Sequence, residues 1–188
     1  MTWNPVHDSR DAFLSCMQAL CTPGTSVALP VRPSVTSAGE LDSAAAVLLA
    51  LLDRGLALAV TGSRAAHEVG TLVTWHTGAT SCDVEHADWV LVDGPPVDAI
   101  SRARRGTPLT PESGATLVIT ATGGALPVDL TGPGIAGTRT TDLALDTMAV
   151  HALSAANAAP PCGIDVLIVD AGQVVALPRS VALTAGAA

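Results

Sequence analysis

Short runs of Val, Ile and Leu alternate along the chain with longer segments in which apolar residues recur at helical spacing. A strand repeats every two residues and a helix every 3.6, so the short runs predict strands and the longer segments predict helices. Predicted strands cover 25–29, 56–61, 88–93, 115–120, 125–130, 164–169 and 174–176, and predicted helices cover 8–20, 43–52, 65–73, 97–104 and 142–156. Interleaved strands and helices predict an α/β fold, a three-layer arrangement with a mixed sheet, in a single domain over 1–188.

The segment 106–130 is predicted to be the centre of this fold. Pro108 and Pro111 exclude a helix, so 106–114 is expected to be a rigid loop. The strand 115–120 follows, and Gly123-Gly124 predicts a hairpin connection to the strand 125–130.

Two helices carry more detailed predictions. The large apolar side chains of the first helix are expected to form its buried face, because they recur at helical spacing; they are Phe13, Leu14, Met17, Leu20 and Cys21. Asp142 is expected to cap the last helix, since Asp is a favoured residue before a helical segment.

The charge of the chain limits its partners. The formal net charge is −8 and all nine basic residues are Arg. An acidic surface repels nucleic acid and anionic lipid, so neither is an expected partner. The start has no apolar signal-peptide segment, and the apolar run 44–52 is too short to span a bilayer, which predicts a cytoplasmic protein.

Several cofactor chemistries conflict with the residues present. Without Lys the chain can form neither a pyridoxal-phosphate aldimine nor a Walker A phosphate loop. The four Cys lack the spacing of a zinc or iron–sulfur site and are expected to be free thiols. The glycines at 132, 134 and 137 match a dinucleotide fingerprint, but β-branched residues follow where a helix should begin. No cofactor and no metal are therefore predicted.

Polar residues near loops are the candidates for contact with a ligand or partner. His76 could act as an acid–base group or fix its loop; the second is favoured, because no nucleophile lies beside it. Arg105, with two neighbouring Arg, could meet a phosphate or an acidic partner, or lie solvated at a helix end. Arg179 could serve an interface or an ion pair, and Glu112 is expected to orient its loop. The contact candidates are His76, Thr77, Arg105, Glu112 and Arg179, and no catalytic set is predicted.

Six segments in order resemble one known family. They are FLSCMQALCTPG from residue 13, WHTGA from residue 75, GTPLTPESGATLVI from residue 106, LTGPGI from residue 130, GID from residue 163 and LPR from residue 177. They cover nearly the whole chain and resemble the PhnH family, the H subunit of the bacterial carbon–phosphorus lyase.

The resemblance implies a function in phosphonate breakdown. It implies a fold related to the large domain of pyridoxal-phosphate-dependent transferases, with the cofactor site lost. It further implies a non-catalytic subunit of the complex that joins methylphosphonate to the ribose of ATP, giving α-D-ribose 1-methylphosphonate 5-triphosphate. The implied partners are a second copy, in a homodimer, and the G, I and J core subunits. The alternative is a stand-alone module that binds a nucleotide or a phosphonate.

Overall fold

The computed structural model describes residues 3–121 and 124–186. Its helices are α1 (His7–Cys21), α2 (Gly39–Leu51), α3 (Arg64–Thr77), α4 (Val97–Arg102) and α5 (Thr147–Ala156), with a 3₁₀ turn at Val84–His86. The strands are β1 (Val27–Ala28), β2 (Ala57–Gly62), β3 (Thr80–Ser81), β4 (Trp89–Asp93), β5 (Arg105–Thr107), β6 (Thr110–Gly114), β7 (Thr116–Thr120), β8 (Leu126–Thr131), β9 (Arg139–Leu143), β10 (Asp165–Asp170), β11 (Gln173–Leu177) and β12 (Ala182–Ala185).

Seven strands form the main sheet, in the order β1-β11-β10-β7-β4-β2-β3. The strands β3, β2, β4, β7 and β10 run parallel, while β11 is antiparallel to β10 and β1 is antiparallel to β11. The predicted mixed sheet is therefore confirmed. A three-stranded sheet, β12-β8-β9, and the hairpin β5–β6 lie outside it.

Side chains of the main sheet alternate between two hydrophobic clusters, as the pleat of a strand requires. In β7, Val118 packs with α1, α2 and α3 on one face. Its neighbours Leu117 and Ile119 pack with α4, α5 and the three-stranded sheet on the other face. Both faces of the sheet are thus covered, which explains why its central strands are continuous apolar runs.

The predicted central hairpin is wrong. β7 lies between β4 and β10 in the main sheet, whereas β8 pairs with β9 and β12 in the smaller sheet. Gly123, part of the predicted connection, lies outside the described residues. The physical reason is burial: β7 is enclosed on both faces, which suits a central parallel strand rather than one arm of a hairpin.

The predicted buried face of α1 is also wrong. Phe13, Leu14, Met17 and Cys21 are exposed, and Leu20 is half-buried. The buried stripe consists of small residues, Ala12, Ser15, Cys16 and Ala19. These have helical spacing too, and their small size lets α1 lie close against α2, which is buried along most of its length.

Two further expectations need correction. Asp142 lies in β9, and Asp146 is the cap of α5, since its Oδ1 accepts a hydrogen bond from the Ala149 backbone N–H at 2.7 Å. The predicted loop 106–114 is largely the hairpin β5–β6. The β-branched residues before Asp142 form β9, so the glycine fingerprint at 132–137 joins two strands, without the helix that a dinucleotide site requires.

Candidate functional site at the amino edge of the sheet

A cleft of about 770 Å³ lies where three parallel strands of the main sheet begin. Trp89, Thr116 and Asp165, the first residues of β4, β7 and β10, all line it. The β5–β6 hairpin borders one side through Pro111, Glu112 and Gly114. The remaining lining residues are Leu56, Asp88, Pro160, Pro161, Cys162, Arg179 and Ser180.

Arg179 holds the hairpin against the sheet. Its backbone N–H and its Nε donate hydrogen bonds to the two carboxylate oxygens of Asp165, at 2.7 and 3.0 Å. Its Nη1 donates to the Pro111 carbonyl. The side chain is only 19% exposed, so each of these bonds lies in a partly desolvated setting where charge-assisted bonds are strong.

Gly114 makes this arrangement possible. A Cβ at this position would lie 2.3 Å from the Gly163 carbonyl oxygen and 2.6 Å from Nη1 of Arg179. Such distances are far below van der Waals contact, so a larger residue would displace the guanidinium group or the strand. The glycine thus fixes the close approach of the hairpin to the strand that begins at Asp165.

A second ion pair lies at the same edge. Arg104 donates to Asp88 Oδ1, while Asp88 Oδ2 accepts from the Ala57 backbone N–H at 2.8 Å. Nearby Cys82 has a raised pKa, because burial disfavours the thiolate and the carboxylates of Asp88 and Asp83 repel it. The charges of Asp88 and Asp165 are therefore compensated by arginines within the chain.

The structure brings only two of the predicted contact residues to the cleft, Glu112 and Arg179. Arg105 has an exposed side chain in β5, and its carbonyl oxygen accepts from the Gly163 N–H at 2.8 Å. The other two, His76 and Thr77, lie in the last turn of α3 and do not line the cleft.

The side chains at the end of α3 bond mainly to their own helix. His76 Nδ1 lies 2.8 Å from the Leu72 carbonyl oxygen, and the Thr77 hydroxyl donates to the Val73 carbonyl at 2.9 Å. The imidazole ring also lies edge-on to the Trp75 indole, with centroids 4.8 Å apart. These contacts orient both side chains without bringing a nucleophile to the histidine.

The carboxyl edge of the same sheet has a different polar cluster. The Asp93 carboxylate accepts hydrogen bonds from the Ser63 hydroxyl and, at 2.8 Å, from the buried Thr120 hydroxyl. The Ser63 hydroxyl also caps α3 by accepting from the Ala66 N–H. A cleft of about 220 Å³ beside this edge contains Thr120 but is much smaller than the one at the amino edge.

Comparison with known proteins decides the family. Residues 2–184 match the family described as bacterial phosphonate metabolism protein, PhnH. The chain belongs to the PhnH family. It is also 32% identical, over 174 residues, to HtxG of Stutzerimonas stutzeri, which is provisionally named a C-P lyase subunit protein; this similarity covers 91% of the chain and 83% of HtxG. The family resemblance noted in the sequence is confirmed, and it assigns the protein to phosphonate metabolism.

Sequence reasoning about this PhnH-family protein missed the partners of its arginines. Asp88 directly precedes β4 and Asp165 begins β10, and both strands are buried and apolar. This shared position is the sequence pattern that could have placed the two carboxylates at one edge of the sheet. Arg102, in the predicted basic cluster, pairs with Glu85 at 2.7 Å and with Asp98 at 3.0 Å. The hydrogen bonds from Arg102 lower the pKa of Glu85 to about 2.

The described residues of this PhnH-family chain provide neither a metal-ion cluster nor a helix that could cross a membrane. Within residues 3–121 and 124–186, no group of three or more His, Cys, Asp or Glu side chains is placed to hold a metal ion. None of the helices in these ranges combines the length and apolar character needed to cross a bilayer. All four Cys are free, and burial raises the pKa of the Cys16 thiol to about 12.

Proposed function

We propose that this protein is a subunit of a carbon–phosphorus lyase complex in the cytoplasm. In that complex other subunits transfer methylphosphonate to the ribose of ATP, giving α-D-ribose 1-methylphosphonate 5-triphosphate, and this chain supplies binding surface rather than catalytic groups. The observation that carries the proposal is the family match over residues 2–184. The name of the similar HtxG protein, a C-P lyase subunit, supports the same assignment.

The chemistry of the amino-edge cleft supports a non-catalytic role. Arg179 and Asp165 neutralise each other, as do Arg104 and Asp88. Among the described residues, His76 bonds to a backbone carbonyl rather than to a hydroxyl or thiol that it could activate. These two ion pairs position the hairpin and the strand ends, which suits a subunit that contributes shape.

Exposed apolar side chains support docking onto other subunits. Leu109, at the tip of the β5–β6 hairpin, is 93% exposed, and Trp75, at the end of α3, is 80% exposed. Because Arg179 anchors the hairpin, Leu109 is presented on a preorganised element, which reduces the entropy lost on binding. We propose that the complex contains a homodimer of this chain and the G, I and J subunits.

We propose further that the fold is related to that of a known enzyme class. The mixed sheet covered by helices on both faces suits the implied relationship to the large domain of pyridoxal-phosphate-dependent transferases. The same arrangement suits a chain that folds as a single domain, since the sheet contributes to both hydrophobic clusters.

Co-purification tests the proposal. The tagged chain is co-expressed with the G, I and J subunits, and the complex is isolated by affinity and size-exclusion chromatography. We expect the wild type to elute with all three partners and Leu109→Asp to be depleted from the complex at least about tenfold, because a charge would enter an apolar contact. Met148→Asp, at an apolar site on α5 that is 64% exposed, is the control and should retain binding.

A second function has one supporting observation. The volume of the amino-edge cleft falls in the range of roughly 300–1,000 Å³ that is usual for small-molecule sites. If the partners assemble without this chain, and the isolated chain binds ATP or methylphosphonate in calorimetry, the stand-alone binding module replaces the subunit proposal.

A further inference from the structure

One carboxylate of the amino-edge cleft has no counter-ion within the described chain. Three carboxylates line the cleft, those of Asp88, Glu112 and Asp165. Asp88 pairs with Arg104, and Asp165 pairs with Arg179. Among the residues that the structure describes, the Glu112 side chain accepts no hydrogen bond and forms no ion pair. The cleft therefore has one uncompensated negative charge.

The guanidinium group of Arg179 is already engaged, because all three of its nitrogens donate within the chain. Nε and Nη2 donate to Oδ2 of Asp165, and Nη1 donates to the Pro111 carbonyl. Nη2 also lies 3.4 Å from the Gly114 carbonyl oxygen. A phosphate or phosphonate would have to displace these bonds and approach Glu112, in a chain whose net charge is −8. An anionic ligand is thus disfavoured at this cleft.

The other walls of the cleft suit the stem of a long cationic side chain. Leu56, Pro160 and Pro161 supply apolar surface, and the half-buried Trp89 adds an indole ring. Arginine and lysine pack their methylene groups on such surfaces while the charged end stays near water or a carboxylate. An indole also attracts a cation that lies within about 6 Å of its ring. Apolar walls with one free carboxylate thus match the chemistry of these two side chains.

We propose that the amino-edge cleft receives an arginine or lysine side chain of a partner subunit, with Glu112 as its counter-ion. This inference rests on the proposed function, because the partner is another subunit of the lyase complex. The hydroxyls of Thr116 and Ser180, which also line the cleft, can accept further hydrogen bonds from the cationic group. The incoming charge would then be balanced without disturbing the Arg179 network.

The position of Glu112 on the hairpin favours a side chain of a bound protein over a free amine. Leu109, at the tip of the same hairpin, is 93% exposed and precedes Glu112 by three residues. Three residues span at most about 11 Å, so a subunit that covers Leu109 lies within reach of the cleft. A charge pair beside an apolar contact sets the orientation of the partner and speeds association. Leu109 and Glu112 thus form two parts of one docking surface.

Charge reversal at Glu112 tests the ion pair. Biolayer interferometry measures the dissociation constant between the tagged chain and a preassembled complex of the G, I and J subunits. Glu112→Arg should raise this constant at least about 30-fold, because two cations would meet in the cleft, and Glu112→Gln should raise it about 5-fold. Glu68→Arg changes the net charge equally at a 65% exposed site on α3, and it should raise the constant less than about 3-fold. Circular dichroism checks folding, and equal affinity of Glu112→Arg and wild type overturns the proposal.

Photo-cross-linking identifies the residue that enters the cleft. A photoreactive amino acid replaces Ser180, an exposed residue of the cleft, in the chain bound to the G, I and J subunits. The cross-linked peptide should come from one of these subunits and contain Arg or Lys. Changing that basic residue to Glu should weaken binding to the wild type and improve binding to Glu112→Arg at least about tenfold, as two coupled charges require. A cross-link to a second copy of this chain, a segment without a basic residue, or no rescue overturns the proposal.

The inference and the proposed function fail in distinguishable ways. If the wild type and Glu112→Arg bind the lyase subunits equally well, the inference is wrong and the proposed function stands. If the wild type binds none of these subunits, the proposed function is wrong and the inference fails with it. Binding of ATP or methylphosphonate to the isolated chain that is lost in Arg179→Met would show that the cleft is an anion site, which also overturns the inference.

Discussion

The two edges of the main sheet differ in how their polar residues are used. At the carboxyl edge, the Asp93 carboxylate gathers the hydroxyls of Ser63 and Thr120 into a compact cluster beside a cleft of about 220 Å³. At the amino edge, Arg179 and Asp165 hold a hairpin in place beside a cleft of about 770 Å³. Open α/β sheets usually bind their ligands at the carboxyl edge, whereas the larger cleft of this sheet lies at the amino edge.

The polar contacts of the carboxyl edge hold elements together, whereas those of the amino edge also support an exposed surface. The Asp93 cluster joins the ends of neighbouring elements and turns its polar groups toward each other. The Arg179 network joins the β5–β6 hairpin to the start of β10 and leaves Leu109 exposed at the tip of the hairpin. The amino edge is therefore where we expect partners to bind, and the carboxyl edge is where we expect changes to affect stability alone.

The largest expected effect comes from the strand between the two edges. Val118 is fully buried in the middle of β7, so Val118→Asp places a carboxylate in the core. We expect a loss of more than about 5 kcal/mol in the free energy of unfolding, measured by urea denaturation. Val118→Ala, which adds no charge, should cost only about 2 kcal/mol. Equal unfolding midpoints for Val118→Asp and wild type would contradict the burial of β7.

The second effect tests the amino edge. Arg179→Met keeps an apolar stem and the backbone donor to Asp165 Oδ1, but it removes the guanidinium donors to Asp165 Oδ2 and to the Pro111 carbonyl. We expect a loss of about 2–3 kcal/mol, less than for a fully buried pair because water reaches both side chains. Amide hydrogen exchange in the β5–β6 hairpin should increase as well, and binding of the lyase partners should weaken.

Arg179→Lys is the matched control for this edge. Lysine keeps the positive charge but cannot reproduce the planar fork that bonds to a carboxylate and a carbonyl together. It should recover part of the stability while exchange in the hairpin stays fast. Unchanged exchange in Arg179→Met would show that the hairpin does not depend on the ion pair.

The sequence predicted where helices and strands occur better than it predicted which strands pair with each other. The apolar run around Val118 predicts a strand because burial on both faces needs apolar residues throughout. The predicted pairing of that strand was wrong. The Gly123-Gly124 pair favours a local hairpin, whereas the strand pairs with β4 and β10, which are more distant in sequence. Pairing depends on how both faces are covered, which no local pattern contains.

The candidate site shows the same limit. Pro108 and Pro111 predicted a rigid loop at 106–114, but the anchor of this segment is Arg179, which lies 68 residues beyond Pro111. The outer and inner faces of α1 both have helical spacing, and side-chain size favoured the wrong one. Close packing against α2 selects small residues instead, and this depends on an interhelical distance that appears only in the folded chain.

The smallest expected effect tests the carboxyl edge. Asp93→Ala removes the acceptor of the buried Thr120 hydroxyl, whose other contact is a long one, 3.4 Å to the Val92 carbonyl. We expect a loss of about 1–2 kcal/mol in the free energy of unfolding, because one buried donor becomes poorly satisfied while the Ser63 cap of α3 is retained.

A double-mutant cycle with Thr120→Val tests this hydrogen bond. Thr120→Val removes the donor itself, so the double variant should cost less than the sum of the single ones, with a coupling energy of about 1 kcal/mol. Urea denaturation of the four proteins measures this cycle, and size-exclusion chromatography with the lyase subunits should show unchanged binding for all of them. Loss of partner binding in Asp93→Ala, together with full binding in Arg179→Met, would reverse the roles assigned to the two edges.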